Sequence, residues 1–292
     1  MLQDFHKLIT MGVMNITPNS FSDPNKFLNR DHLLNTLKNL EDRSDLILDF
    51  GFESTAPMNE AISALEEKKR FDVFFDEIKD INLSNRWISF DTYRPENFSY
   101  FERQFMSRYK NMGFIFNDVS GVVDDNLINL LKDKKRQKNF YYLYSSTHIP
   151  SREFVLKHMD YVKMDEDIQD STIKKFSDAI EIFQSSDCLD QIILDPCFGF
   201  SKSYEQNWQL LNKIENVVNE IKKQNFKGAW LVGISKKSFL RKSLQVGKNT
   251  FEDAEILHLQ LIKQILLKNL GQIIFRTHDF NIVHNALKEL NA

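Results

Sequence analysis

Only two cysteines, Cys188 and Cys197, occur in 292 residues, so a disulfide framework is excluded and no C-x-x-C metal spacing exists. Both read as small buried hydrophobes, with Cys197 placed beside a strand end. Glycine and proline are scarce as well, 9 and 6 against 25 phenylalanines, which points to packing rich in aromatic rings. Neither charge sign is in large excess. The formal net charge of -3 gives no electrostatic case for nucleic acid or an anionic membrane as partner. No uninterrupted apolar run is as long as a membrane span, and Met1 to Lys7 lacks the apolar stretch and small-residue cleavage site of a signal peptide. A soluble cytoplasmic protein acting on small molecules is expected. A glycine-rich phosphate loop is missing too: Thr17-Pro18-Asn19-Ser20-Phe21-Ser22 follows the first apolar run, which argues against a doubly wound open sheet.

What is present is a series of short apolar runs, each ending in polar or charged residues. They are Gly12 to Thr17, Leu46 to Asp49, Trp87 to Thr92, Phe114 to Asp118, Ile192 to Pro196, Trp230 to Ser235 and Ile273 to Asp279. An eighth, Phe140 to Tyr144, alternates aromatic and polar groups and reads as less buried than its neighbours. A strand covered on both faces shows as such a continuous run. Between the runs, His32 to Leu40, Ile62 to Asp80, Thr172 to Phe183, Asn207 to Lys223 and Asp253 to Leu267 carry helical periodicity. Eight strands alternating with helices predict an α/β fold, a (β/α)8 TIM barrel in one domain over residues 1–292. The interval from Tyr144 to Gln191 exceeds one crossover and predicts an extended loop with a helix on the barrel rim. Reactive groups in such barrels sit past the C-terminal strand ends, where the polar clusters fall.

Those clusters resemble the signatures of dihydropteroate synthases. Met11 to Asp23 is similar to the first motif of that family, and Glu53-Ser54-Thr55-Ala56-Pro57 to its second-loop motif. The likeness continues in family order through Asp91-Thr92, Asn117 to Gly121, Leu194 to Phe200, Ser235 to Phe239 and Arg276 to Asp279. It implies a transferase of folate biosynthesis that joins p-aminobenzoate to 6-hydroxymethyl-7,8-dihydropterin diphosphate and expels diphosphate. Asp91, Asn117, Asp195 and Lys237 then match pterin-binding positions. Chemically they suit a ring with an amide edge and an aminopyrimidine edge, because a carboxylate can accept paired N–H bonds from a guanidine-like group. A single Asp or Asn at a strand end could merely cap the next helix, but four from four strands make a set. Arg276 and His278, two apart and facing one way, correspond to the diphosphate-binding pair. Asn15 matches the position that contacts Mg2+, a neutral oxygen suited to a hard ion already held by phosphate. Catalytic roles accordingly fall to Asn15, Lys237, Arg276 and His278, and Thr55, Phe200 and Ser235 complete the substrate-binding set. The other histidines have no comparable setting.

The chain departs from the family pattern in the loops. Ala56 replaces the arginine that usually follows Glu-Ser-Thr, Asn19 an aspartate, Pro24-Asn25 a glycine pair, Lys236 an arginine and Cys197 a glycine. The Met-His-Met and Gly-x-Pro features after the fifth strand are absent. Loss of the arginine removes a charged hydrogen bond worth about 1.5–3 kcal/mol, or roughly one to two orders of magnitude in rate, unless Lys26, Arg30 or another cation stands in. Two alternatives remain open: a pterin-binding paralogue without synthase activity, and a barrel using a reduced pterin as methyl donor, against which Arg276 and His278 argue. The family resemblance implies a homodimer, with Ala254 to Leu267 as a contact surface.

Overall fold

The computed structural model describes residues 1–16, 27–55, 59–134, 137–244, 251–268 and 270–291. Eight parallel strands close into a barrel in chain order: β1 Thr10–Asn15, β2 Leu46–Gly51, β3 Trp87–Asp91, β4 Gly113–Asp118, β5 Phe140–Ser145, β6 Ile192–Asp195, β7 Ala229–Val232 and β8 Ile273–Thr277. The barrel closes where Thr10 of β1 pairs with Phe275 of β8. Around it pack α1 Phe27–Asn39, α2 Ala64–Glu77, α3 Pro95–Arg108, α4 Asp125–Lys134, α5 Ile168–Ser185, α6 Tyr204–Asn212, α7 Ile214–Lys222, α8 Ser238–Lys242, α9 Phe251–Leu266 and α10 Ile282–Leu290. No helix among the described residues is long and apolar enough to cross a membrane.

Alternation along each strand divides the side chains between two environments. One set faces outward into the helices, where phenylalanine dominates: Phe50, Phe71, Phe90, Phe101 and Phe105 pack edge to face and face to face, with Phe71 and Phe101 stacked at 4.4 Å. The other set faces the lumen. Its lower layer is apolar, built of Met11, Ile47, Trp87, Ile115, Leu143, Ile193, Leu231 and Ile274, and Phe5 and Leu8 belong to the same cluster. Further along the same strands and in the same parity stand Asn15, Asp49, Asp91, Asn117, Ser145, Asp195 and Arg276. The lumen is therefore oily at the N-terminal end and polar at the C-terminal mouth, which places the site.

Local signals set the helix starts. Ser63 caps α2 by accepting from the Glu66 N–H, and Pro95 opens α3 where no N–H is needed. Ser203 and Gln206 form a reciprocal capping box on α6. One expectation changes. The helical stripe from Asn207 to Lys223 is two helices, because Lys213 leaves helical geometry at φ -102°, ψ 11°. Strand β5, expected to be less buried than its neighbours, differs from β4 and β6 only at the half-buried Tyr141: the Tyr142 hydroxyl donates to Asp118 Oδ2 at 3.0 Å, so its polar atom is partnered inside. The long interval after β5 does carry a rim segment, a 3-10 stretch Arg152–Tyr161 kinked at Lys157, followed by α5. Arg152 pins it there with hydrogen bonds to Asp118, Asp124 and the Tyr93 carbonyl.

Candidate active site

A cavity of about 510 Å³ opens at the C-terminal mouth, and every site position picked out from the sequence lines it. Asn15, Asp91, Asn117, Asp195 and Arg276 rise from the strands; Thr55, Phe200, Ser235, Lys237 and His278 come from the segments that follow them. Ala56, Asn19, Pro24, Asn25 and Lys26 lie outside the described residues. Arg30 forms an ion pair with Glu77, while Lys236 lines the cavity.

The floor is a charged lattice. Arg276 Nε donates to Asp49 Oδ2 at 2.7 Å and its Nη2 to Asp91 Oδ2 at 2.6 Å. Asn117 Nδ2 reaches the same Asp49 carboxylate at 3.1 and 3.3 Å, which fixes the amide so that its oxygen is left for a ligand. Asp49, which the sequence marks only as the polar end of its apolar run, has no site role in the sequence reading. Its signal was a charged residue inside an apolar strand, in lumen parity and short of the strand end. Burial raises the Asp91 carboxyl to about 7, partly offset by Arg276 and reinforced by the Asp49 charge.

A pH dependence follows. A ligand that donates N–H groups to Asp91 needs it as carboxylate, so the affinity of such a ligand should climb between pH 6 and 8, approaching about tenfold per unit below 7, and level off above. Asp91→Asn should flatten the curve, and a flat curve from the native chain in calorimetric titrations would contradict the assignment. For stability the sign is opposite: the folded chain holds this proton more tightly than the unfolded one. The contribution therefore falls as pH rises from about 4 to about 7 and is constant beyond.

Asp195 is nearly buried, and its Oδ1 accepts from the Cys197 N–H at 2.7 Å. Burial raises its pKa against that N–H and the nearby Lys237, Lys202 and Arg276. The loop it anchors has Cys197 at φ 55° and Ser201 at φ 51°, left-handed values that favour glycine and account for the glycine usual at the first position in the resembled family. At Gly199, φ 85°, a Cβ would stand 3.1 Å from Lys237 Cδ; its absence lets Lys237 pack down with Nζ 4.6 Å from the Phe200 ring centroid. Burial lowers the pKa of Lys237. Lys202, which no sequence signal distinguished, is buried under this loop and donates to the carbonyls of Ser146, Cys197 and Phe200 at 3.1–3.2 Å.

On the opposite wall the Ser235 hydroxyl lies 3.1 Å from His278 Nδ1 and accepts from the His278 backbone N–H at 3.3 Å. In the tautomer in which the Ser235 hydroxyl donates to Nδ1, the Nε2–H of His278 is free to donate to a ligand. Burial, Lys236 and Arg276 push His278 down to about 4, so it acts as a neutral donor at neutral pH. His158, passed over in the sequence, also lines the cavity.

Asn15 is the exposed end of β1 and offers an amide oxygen near the Asp91 side of the mouth. Among the described residues no group of three or more His, Cys, Asp or Glu could hold a metal ion. This donor set fits only a hard cation that brings phosphate oxygens with it.

A closed parallel barrel with charged and polar side chains gathered around a cavity at its C-terminal mouth is the build of a barrel enzyme acting on a small molecule. The family model described as pterin binding enzyme matches residues 11–278. Dihydropteroate synthase of Clostridium beijerinckii is 30% identical over 71% of this chain and 68% of its own length. A mitochondrial folate synthesis bifunctional protein of Arabidopsis thaliana is 26% identical over 98% of this chain and 49% of its own; the chain spans about half the length of such plant relatives. In fold it is similar to the dihydropteroate synthase of Anaplasma phagocytophilum with bound 6-hydroxymethylpterin-monophosphate, at a TM-score of 0.72, 22% identity and 98% coverage of both chains. The chain belongs to the dihydropteroate synthase family of pterin-binding enzymes.

Proposed function

We propose that this chain is a dihydropteroate synthase, joining the amine of p-aminobenzoate to the exocyclic methylene of 6-hydroxymethyl-7,8-dihydropterin diphosphate. The observation that carries the reading is the meeting, in one cavity, of the acceptor set Asp91, Asn117 and Asp195 with the donor set Lys237, Arg276 and His278. Asp195 would accept from the aminopyrimidine edge, and Asn117 and Lys237 would meet the amide edge. The C–O bond to diphosphate breaks with its electron pair on oxygen, and the methylene carbon, stabilised by the electron-rich ring, takes the amine nitrogen. The ammonium formed gives its proton to solvent. No protein nucleophile is needed, and burial pushes the Cys197 thiol up to about 12, away from reactive thiolate. Arg276 and the Nε2–H of His278 stabilise charge on the departing oxygen from fixed positions. Asn15 would supply one neutral oxygen to Mg2+ carried on the diphosphate, where the ion offsets leaving-group charge.

The same reading takes residues 1–292 as one pterin-binding domain, cytoplasmic, acting on small molecules as a homodimer. Exposed Ile256 and Leu267 on or just past α9, the helix expected to pair, are consistent with that contact.

Diphosphate release in a coupled assay tests the reaction. Release should require both the dihydropterin diphosphate and p-aminobenzoate, and should fall when Mg2+ is chelated. Ala56→Arg should raise turnover about tenfold or more if the loop charge is an uncompensated loss. Tight binding of the dihydropterin diphosphate with no release by either protein would favour the binding-only paralogue.

A further inference from the structure

His158 is a polar side chain at this mouth that the chemistry above leaves without a part. It is buried in the 3-10 segment Arg152–Tyr161 and stacks on Phe200, with ring centroids 4.2 Å apart and planes tilted by 32°. The Ser201 N–H donates to His158 Nδ1 at 3.3 Å, and the Ser201 hydroxyl donates to the His158 carbonyl at 2.9 Å. Ring and backbone are thus both tied to the loop that carries Phe200. With Nδ1 accepting, the neutral ring bears its proton on Nε2. Burial, with Lys237 and Lys202, pushes the ring's pKa down to about 4, so this neutral form holds at physiological pH. Nε2 makes no hydrogen bond of normal geometry among the described residues, and the Thr55 backbone adds only a weak interaction that raises the ring's pKa slightly. A buried N–H left unpaired is a standing cost that a ligand acceptor would remove.

The floor residues that suit a pterin come from the strands themselves. His158, Phe200 and Thr55 come from segments beyond the ends of β5, β6 and β2, so a ligand atom at Nε2 stands outward of the pterin, where the second substrate enters. That side is cationic, with Lys236 and Lys237 on the cavity wall and Lys237 Nζ 4.6 Å from the centre of the Phe200 ring. Resting on the synthase reading, we infer that His158 is a further specificity-determining residue, whose Nε2–H donates to the carboxylate of an arylamine substrate lying along Phe200.

His158→Phe keeps a stacking ring and removes the donor; His158→Gln restores an amide N–H at similar reach. The KM for p-aminobenzoate should rise about tenfold or more in His158→Phe, as expected for loss of a hydrogen bond to a charged group. The KM for the dihydropterin diphosphate should stay within about twofold, and His158→Gln should recover most of the loss. Preference for p-aminobenzoate over aniline, which lacks the carboxylate, should shrink by the same factor. An unchanged KM for p-aminobenzoate would overturn the inference, as would equal rises for both substrates with a lower melting temperature, the sign of a structural role. If the native chain releases no diphosphate at all, the synthase reading fails and binding still decides. Calorimetry then titrates p-aminobenzoate onto protein saturated with 6-hydroxymethylpterin, diphosphate and Mg2+. Tenfold weaker binding by His158→Phe supports the role; equal affinities, or no binding by the native chain, overturn it.

Discussion

Asp195→Asn should weaken pterin binding about a hundredfold and leave the melting temperature where it was or slightly higher. Asparagine can keep its oxygen on the Cys197 N–H, the 2.7 Å bond that shapes the loop. Its amide group then faces ring N–H donors with another donor. Loss of a charged hydrogen bond and the stranding of a buried donor together amount to roughly 3 kcal/mol, which is about two orders of magnitude in Kd. Stability is spared because burial already opposes the Asp195 charge and asparagine removes it without changing shape. Asp195→Ala removes the loop anchor as well and should abolish binding. Calorimetric titration with a dihydropterin, paired with thermal melts, checks both; native affinity in Asp195→Asn would reject the role.

Arg276→Leu is expected to damage fold and reaction together. Arg276 bridges Asp49 and Asp91 at 2.6 Å, and neither carboxylate has another cation in hydrogen-bond contact among the described residues. Removing one partner of a buried ion pair costs roughly 3–5 kcal/mol, because the remaining charge is left without compensation. For a chain of this size that is a fall of roughly 5–8 °C in melting temperature at pH 7. Diphosphate release should fall by about a hundredfold or more, the scale seen when a donor to developing negative charge is lost. The triple variant Asp49→Asn, Asp91→Asn, Arg276→Leu should regain much of the stability and none of the turnover. Full turnover in Arg276→Leu would remove the leaving-group role.

The barrel was legible because each buried parallel strand is an apolar run with a polar end, and the runs from Leu46, Trp87, Phe140, Ile192 and Ile273 begin at the observed strand starts. The first run was read two residues late, since Thr10 and Met11 carry no turn signal before them. Four helices, α3, α4, α8 and α10, were not marked in the sequence, lying as amphipathic segments between stronger strand signals. The residues at the mouth were visible because polar groups stand out at strand ends. Asp49 also stands out as the polar end of its run, but its part in the site depends on lumen parity and on an arginine 227 positions away. Lys202 and His158 depend on the fold of loops that no periodicity marks, and lysine is rarely buried as Lys202 is here.

A crystal structure with 6-hydroxymethylpterin tests the central claim most directly. The account predicts the ring at the floor of the barrel mouth, its aminopyrimidine edge on Asp195, its amide edge on Asn117 and Lys237, and its hydroxymethyl carbon turned toward Arg276 and His278. A pterin bound elsewhere, or seated in the mouth with that carbon turned away from Arg276 and His278, would contradict it.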